Sequence, residues 1–252
     1  MHRAHLLGYS LAVSVGVGAL ALGFLDGQWV AGAIALGVAL ALALGTFVES
    51  GPDSAKEVAL IATMTGIAVA GRLLVHPFPG VQPMTVIVIA SGAAFGLRIG
   101  VSVGALGALV SNFFFIQGPW TPWQMTLWAL CGAAGALLPA LARRRLAFAF
   151  LCAALSYAFS SAMDVSDWWY RYAHTWAGLT VSITTGFPFT LAHALGSFVI
   201  AFAVGPELVR MLERFARRLR AEIVWDDRIP PPPKTAATVT QYVHRPPSAG
   251  RR

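Results

Sequence analysis

The chain is short of charge: Asp, Glu, Lys and Arg make up 12% of its 252 residues, hydrophobic residues 57%, and mean hydropathy is +0.67. A soluble domain carries about twice that share of charge. So few charges cannot cover a water-facing surface, which leaves the membrane as the environment. Cysteine is also scarce. Cys131 and Cys152 both fall inside apolar runs, where a free thiol behaves as a small hydrophobe. There is no C-x-x-C and no His/Cys cluster of metal-ligand spacing, so no metal is expected. A net charge of +7 and a pI near 10.1 would suit a nucleic-acid partner if the basic residues covered a folded face. Instead they sit in short clusters between apolar runs and in the tail, as cytoplasmic loops do, so the expected surroundings are a lipid bilayer and not nucleic acid.

Long uncharged runs cover 6–24, 28–48, 58–75, 81–97, 99–115, 122–141, 146–163 and 189–208. They predict about eight helical spans of an all-α membrane protein, since a perpendicular span needs roughly 20 apolar residues. The first run has Arg3 before it and Ala19-Leu20-Ala21 near its end, as a cleaved signal would. A second span follows directly, which favours an uncleaved anchor. Arg98, Arg143-Arg144-Arg145 and the cluster Arg210, Arg214, Arg217, Arg218 and Arg220 follow alternate spans. The opposite loops hold only Arg72 and Arg171 among the arginines, so both termini are expected in the cytoplasm of a bacterial cell. Pro230 to Pro233 break any helix, and residues 222–252 read as a disordered cytoplasmic tail with an optional contact to anionic lipid.

Three stretches on the outer side could carry chemistry. The first runs from Ser111-Asn112 through Gln117, Trp120 and Trp123-Gln124, without one charge. Pro119 ends one helix and Pro122 suits the first turn of the next. Trp120 and Trp123 could form an aromatic belt at the headgroups. A belt does not explain Asn112, Gln117 and Gln124, whose amides would leave donors unpaired in lipid and should face a cavity. Indole faces beside amides suit a flat, polar-edged organic ligand. The second stretch, Asp164 to Trp176 with Trp168, reads as the most polar and aromatic outer loop: an interfacial helix anchoring by its aromatics, or a lid with Asp164 touching ligand. In the third, His193 lies one turn inside an apolar helix, either as a functional group or bonded to another helix or to Ser197 one turn on. Arg72, near its helix end, can snorkel or point into the same cavity. Ala62, Gly66 and Ala70 recur every fourth residue, which lets another helix approach, within this chain or from a separate subunit.

Residues 56–220 resemble the substrate-specific S component of energy-coupling factor (ECF) transporters, most closely the actinobacterial-type group associated with cobalamin or its precursors. The likeness rests on Lys56-Glu57-Val58-Ala59-Leu60 leading to Arg72, and on Val81-Gln82-Pro83 with Gly92, Gly96 and Gly100. It continues in the Asn112 to Met125 stretch, then in Phe187-Pro188-Phe189 to Gly196, Gly205-Pro206 and the basic exit. The resemblance implies a six-helix core over residues 54–221, with residues 1–53 an added transmembrane hairpin. On the reading of the outer stretches, substrate binding is expected of Asn112, Gln117, Trp120, Trp123, Gln124, Asp164, Trp168 and His193, with Arg72 and Gln82, converging on one outward-opening pocket. The resemblance also implies docking of Ala62, Gly66 and Ala70 on a transmembrane coupling subunit. ATP would be used by two separate ATPase subunits, this chain holding no cofactor and lacking a Gly-rich Lys-Ser/Thr phosphate loop. Two departures stand out: Ile116 occupies an expected Gly position and Ser197 an expected Asn, so the ligand can differ from the group's usual one.

The chain is therefore expected to be a vitamin-capturing subunit and not an enzyme, with no catalytic residues. One alternative is an intramembrane serine protease: Ser91 within Ile89 to Gly96 resembles the serine-bearing turn of rhomboids, with His193 as base. The His/Asn pair and Trp-Arg motif of rhomboids have no match. The other alternative is an assembly subunit without ligand, in which the amides and His193 pair only among themselves.

Overall fold

A computed structural model of the chain describes residues 54–220. The expected N-terminal hairpin, 1–53, and the Pro-rich tail, 222–252, lie outside the described residues. The described residues are helical, in the order α1 (Ser54–Leu74), α2 (Pro83–Phe95), α3 (Leu97–Phe115), α4 (Thr121–Leu137), the single turn α5 (Pro139–Ala142), α6 (Arg145–Arg171) and α7 (Trp176–Arg220). Four of them, over Ala55–Leu74, Leu97–Phe115, Arg145–Arg171 and Trp176–Arg218, are long and apolar enough to cross a membrane, and Pro83–Phe95 is a shorter apolar helix.

Their surfaces agree with lipid as the solvent. Only 28% of the apolar window of α7 is buried within the protein. Val181, Leu195, Val199 and Val204 face outward on it, where a water-exposed helix would carry polar side chains. Its inward face is narrow and small or polar: Gly178, Ser182, Thr190, His193, Ser197, Ala201 and Gly205 are buried.

Four expected boundaries are corrected. The span read at 81–97 is a helix of 13 residues, because Gly96 turns the chain with φ 94 straight into α3. The span read at 122–141 stops at Leu137: Pro139 disfavours helix at Leu138, which takes φ −121 and ψ 44. The span read at 146–163 continues to Arg171 and the next helix starts at Trp176, so most of Asp164 to Trp176 is helix. Asp164 and Trp168 thus stand on a rigid element and not on a lid. Finally, the span read at 189–208 is one part of a 45-residue helix, about 67 Å long.

That helix passes through Pro188 and Pro206. Pro206 has no N–H for the carbonyl of Phe202. The guanidinium of Arg145, at the start of α6, supplies the missing donor: Nη1 donates to the Phe202 carbonyl at 2.6 Å and to that of Ala203 at 3.1 Å. Its Nη2 meets Glu207. Arg143–Glu213 at 3.0 Å and Arg98–Glu57 at 3.0 Å lie toward the same end of the bundle.

α2, α3 and α4 touch backbone to backbone. A Cβ on Gly92 would sit 2.0 Å from the Gly132 oxygen, and one on Gly132 would sit 2.1 Å from the Gly100 oxygen. Lipid tails are as apolar as leucine, so close contact of this kind is what holds helices together in a bilayer. The rigid trio fixes the far ends of α3 and α4, where the polar residues collect.

Candidate solute-binding site

Two adjoining cavities open at the end of the bundle that carries the 75–82, 116–120 and 172–175 connections. One, of about 290 Å³, is lined by Arg72, the His76 to Gln82 connection, Phe115 and Phe189. The other, of about 320 Å³, is lined by Arg72, Gln82, Trp120, Gln124, Phe159, Ser160, Met163, Asp164, Asp167, Arg171, Gly186 and Phe189. Arg72, Gln82 and Phe189 belong to both walls.

Arg72 organises the polar side. It comes from the last turn of α1 and lies over the rings of Phe115 and Trp128, at 4.7 and 4.9 Å. Its Nη1 donates to Ser111 Oγ at 2.5 Å and to Asn112 Oδ1 at 3.1 Å. Because Asn112 must offer its oxygen to Arg72, its nitrogen faces α4. There Nδ2 donates to Thr121 Oγ1 at 3.0 Å and to Gln124 Oε1 at 2.8 Å. Gln124 in turn must offer its oxygen to Asn112, which leaves its NH₂ group toward the cavity. Among the described residues no carboxylate pairs with Arg72, and its Nε and Nη2 make no hydrogen bond.

Gln82 stands before the first turn of α2 and makes no cap bond. It is 8% exposed, and its Oε1 is a buried acceptor with no partner. On the facing wall, Asp164 accepts from Thr190 at 3.1 Å, and its backbone carbonyl accepts from Ser182 at 2.7 Å. Asp167 pairs with Arg171 at 3.6 Å.

Of the residues expected to bind ligand, Arg72, Gln82, Trp120, Gln124 and Asp164 line the cavity, and Asn112 backs it, 1% exposed. The other four do not line it. Gln117 ties the 116–120 turn, donating to the Leu109 carbonyl at 2.8 Å and accepting from Thr121 at 2.9 Å. Trp123 donates to Tyr170 at 2.6 Å, and Tyr170 to the Pro119 carbonyl at 3.1 Å, which joins α4 to α6. Trp168 donates to the Ala173 carbonyl at 2.9 Å and packs edge-on against Trp169. His193, 0% exposed, lies one layer beneath the cavity.

Both ring nitrogens of His193 are engaged, Nε2 with Thr85 at 2.8 Å and Nδ1 with Ser160 at 2.9 Å. Thr85 also accepts from Trp128 Nε1 at 3.0 Å. Ser197 bonds not to His193 but to Ser156, at 2.7 Å. The Ser91–His193 pair that a protease would need is not made: Ser91 donates to the Ile87 carbonyl at 2.7 Å. Ala62, Gly66 and Ala70 are exposed on α1, and nothing among the described residues lies within 4 Å of a Cβ built on Gly66.

Phe159, Ser160 and Phe189 also line the site. Phe residues in an apolar helix carry no distinguishing mark. Ser160 did have a signal: Ser156 and Ser160 share a spacing of four with His193 and Ser197, which predicts two polar helix faces in contact.

Residues 53–215 match the family model DUF6580, described as a family of unknown function. No curated protein and no solved structure matches the chain.

Proposed function

The chain belongs to the DUF6580 family, whose function is unknown, and from the site we propose that it is a membrane-embedded solute-binding protein, the capture subunit of an ECF-type vitamin importer. One observation carries this reading: Arg72, with an edge that bonds nothing among the described residues, shares the wall of one hollow with Gln124 and with Gln82, whose buried acceptor has no partner. A group of that kind costs about 1–3 kcal/mol when empty. A protein without a ligand gains nothing by keeping it. The walls fit the part, with aromatic residues Trp120, Phe159 and Phe189 beside a few polar groups.

At about 320 Å³ the cavity stands at the small end of ligand sites. A hollow of that size suits a small vitamin or precursor, or one edge of a larger cobalamin-like ligand. In this reading the membrane is the bacterial cell membrane, both termini are cytoplasmic and the hollow opens outward. The exposed stripe Ala62, Gly66 and Ala70 docks on a coupling subunit, and two partner ATPases supply the energy.

The test is a binding screen of water-soluble vitamins and precursors, cobalamin and cobinamide included, against the purified protein. Saturable binding of a small compound, weakened by Asn112→Ala and Gln124→Ala but not by Trp168→Phe, is the expected result. No saturable binding, or binding indifferent to Asn112 and Gln124, overturns the proposal.

A further inference from the structure

The polar bonds behind the cavity run in one direction. Arg72 has only donors, so Asn112 must present its oxygen to it and its nitrogen to Gln124. Gln124 must then present its oxygen to Asn112. The cation therefore fixes the orientation of two amides in series, and the series ends in an NH₂ group at the cavity wall. The relay has no alternative register. Flipping either amide would set donor against donor.

Arg72 contributes the rest. Both hydrogens of Nη1 are used, one on Ser111 and one on Asn112. Nε–H and Nη2–H form the other edge of the planar group, which bonds nothing among the described residues. That edge has the fork geometry that matches two oxygens of one oxyanion. We infer, resting on the solute-binding reading, that the solute presents a carboxylate to a cradle of donors made by the free edge of Arg72 and the amide nitrogen of Gln124.

A carboxylate is favoured over a phosphate by the facing wall. Asp164 lines the same hollow beside the Asp167–Arg171 pair, and its net negative charge opposes a doubly charged group more than a singly charged one. The aromatic lining suits a flat apolar body behind the acid.

The experiment uses shape-matched probes that differ in charge: benzoate with benzamide, and phenylacetate with phenylacetamide. They are titrated against the full chain in a phosphate-free maltoside detergent, with tryptophan fluorescence as the readout. Dihexanoylphosphatidylglycerol serves as a lipid-headgroup arm. Each carboxylate is expected to bind about tenfold more tightly than its amide, the difference between a charge-assisted and a neutral hydrogen-bond pair. Arg72→Gln abolishes the preference. Because that variant also strips Ser111 and Asn112 of a donor, Gln124→Glu is the companion. It keeps the acceptor that Asn112 needs, places an internal carboxylate beside Arg72, and is expected to remain folded while losing the preference. Equal affinity for acid and amide overturns the carboxylate assignment and leaves the solute site standing. A response to the lipid alone also overturns it. No response to any probe overturns the site together with the assignment.

Discussion

Replacing Gln82 with leucine should stabilise the empty protein and spoil it as a binder. The wild-type side chain is 8% exposed, and its buried Oε1 accepts nothing. An unsatisfied buried acceptor costs about 1–3 kcal/mol. Leucine is close to glutamine in size and brings no polar atom, so most of that cost disappears. No cap bond is lost, because Gln82 makes none. A gain of about 1 kcal/mol corresponds to a rise of roughly 2–4 °C in Tm for a chain of this length. The assay is thermal unfolding of both proteins in detergent, followed by titration with whichever solute the screen finds. The reasoning predicts a higher Tm and weaker binding in the same variant, the trade expected where a polar group is kept for function. A Tm lower than wild type by a few degrees would refute it, because Gln82 would then be satisfying a partner in the unliganded fold.

Gly132→Ala should cost several kcal/mol, since its Cβ would lie 2.1 Å from the Gly100 oxygen and neither backbone can yield cheaply. Gly66→Ala, with open space around the site, should instead gain up to about 1 kcal/mol of helix propensity; thermal unfolding of the pair checks both signs. Ile116 adopts φ 74, which is strained for a β-branched residue. Ile116→Gly should therefore raise stability by about 1 kcal/mol, measured the same way. Arg145→Gln should destabilise the wild type by roughly 1 kcal/mol, as its part-exposed guanidinium no longer serves the Phe202 carbonyl. In a Pro206→Ala background, where the backbone N–H returns, the same change should cost little. A double-mutant cycle showing no coupling would refute the link.

Much of the class was legible because scarce charge and long apolar runs leave few solvents open. Helix ends at Phe115 and Thr121 followed from Pro119 and Pro122. The glycine expected at position 116 has a physical reason, since Ile116 occupies the left-handed region there. What periodicity could not give was the inward face of each helix. Lipid and protein core are equally apolar, so a membrane helix lacks the contrast that marks a buried stripe in water. His193 shows the consequence. A histidine at membrane depth reads as functional, yet it bonds to Thr85 and Ser160 within the packed core. Arg72 shows the reverse: a residue able to snorkel turns inward and sets the orientation of the Asn112 and Gln124 amides. Aromatic and acidic residues at a membrane edge look alike in helix and turn, so the choice between helix and lid for Asp164 and Trp168 is not legible in the pattern; α6 carries both.

Native mass spectrometry of the protein taken from its own cell membrane, in phosphate-free detergent and without added ligand, tests the central claim most directly. The wild type should carry one small molecule of discrete mass that Gln82→Leu and Gln124→Glu release. A wild-type protein that flies bare, or variants that retain the same adduct, would contradict the claim that this hollow holds a solute.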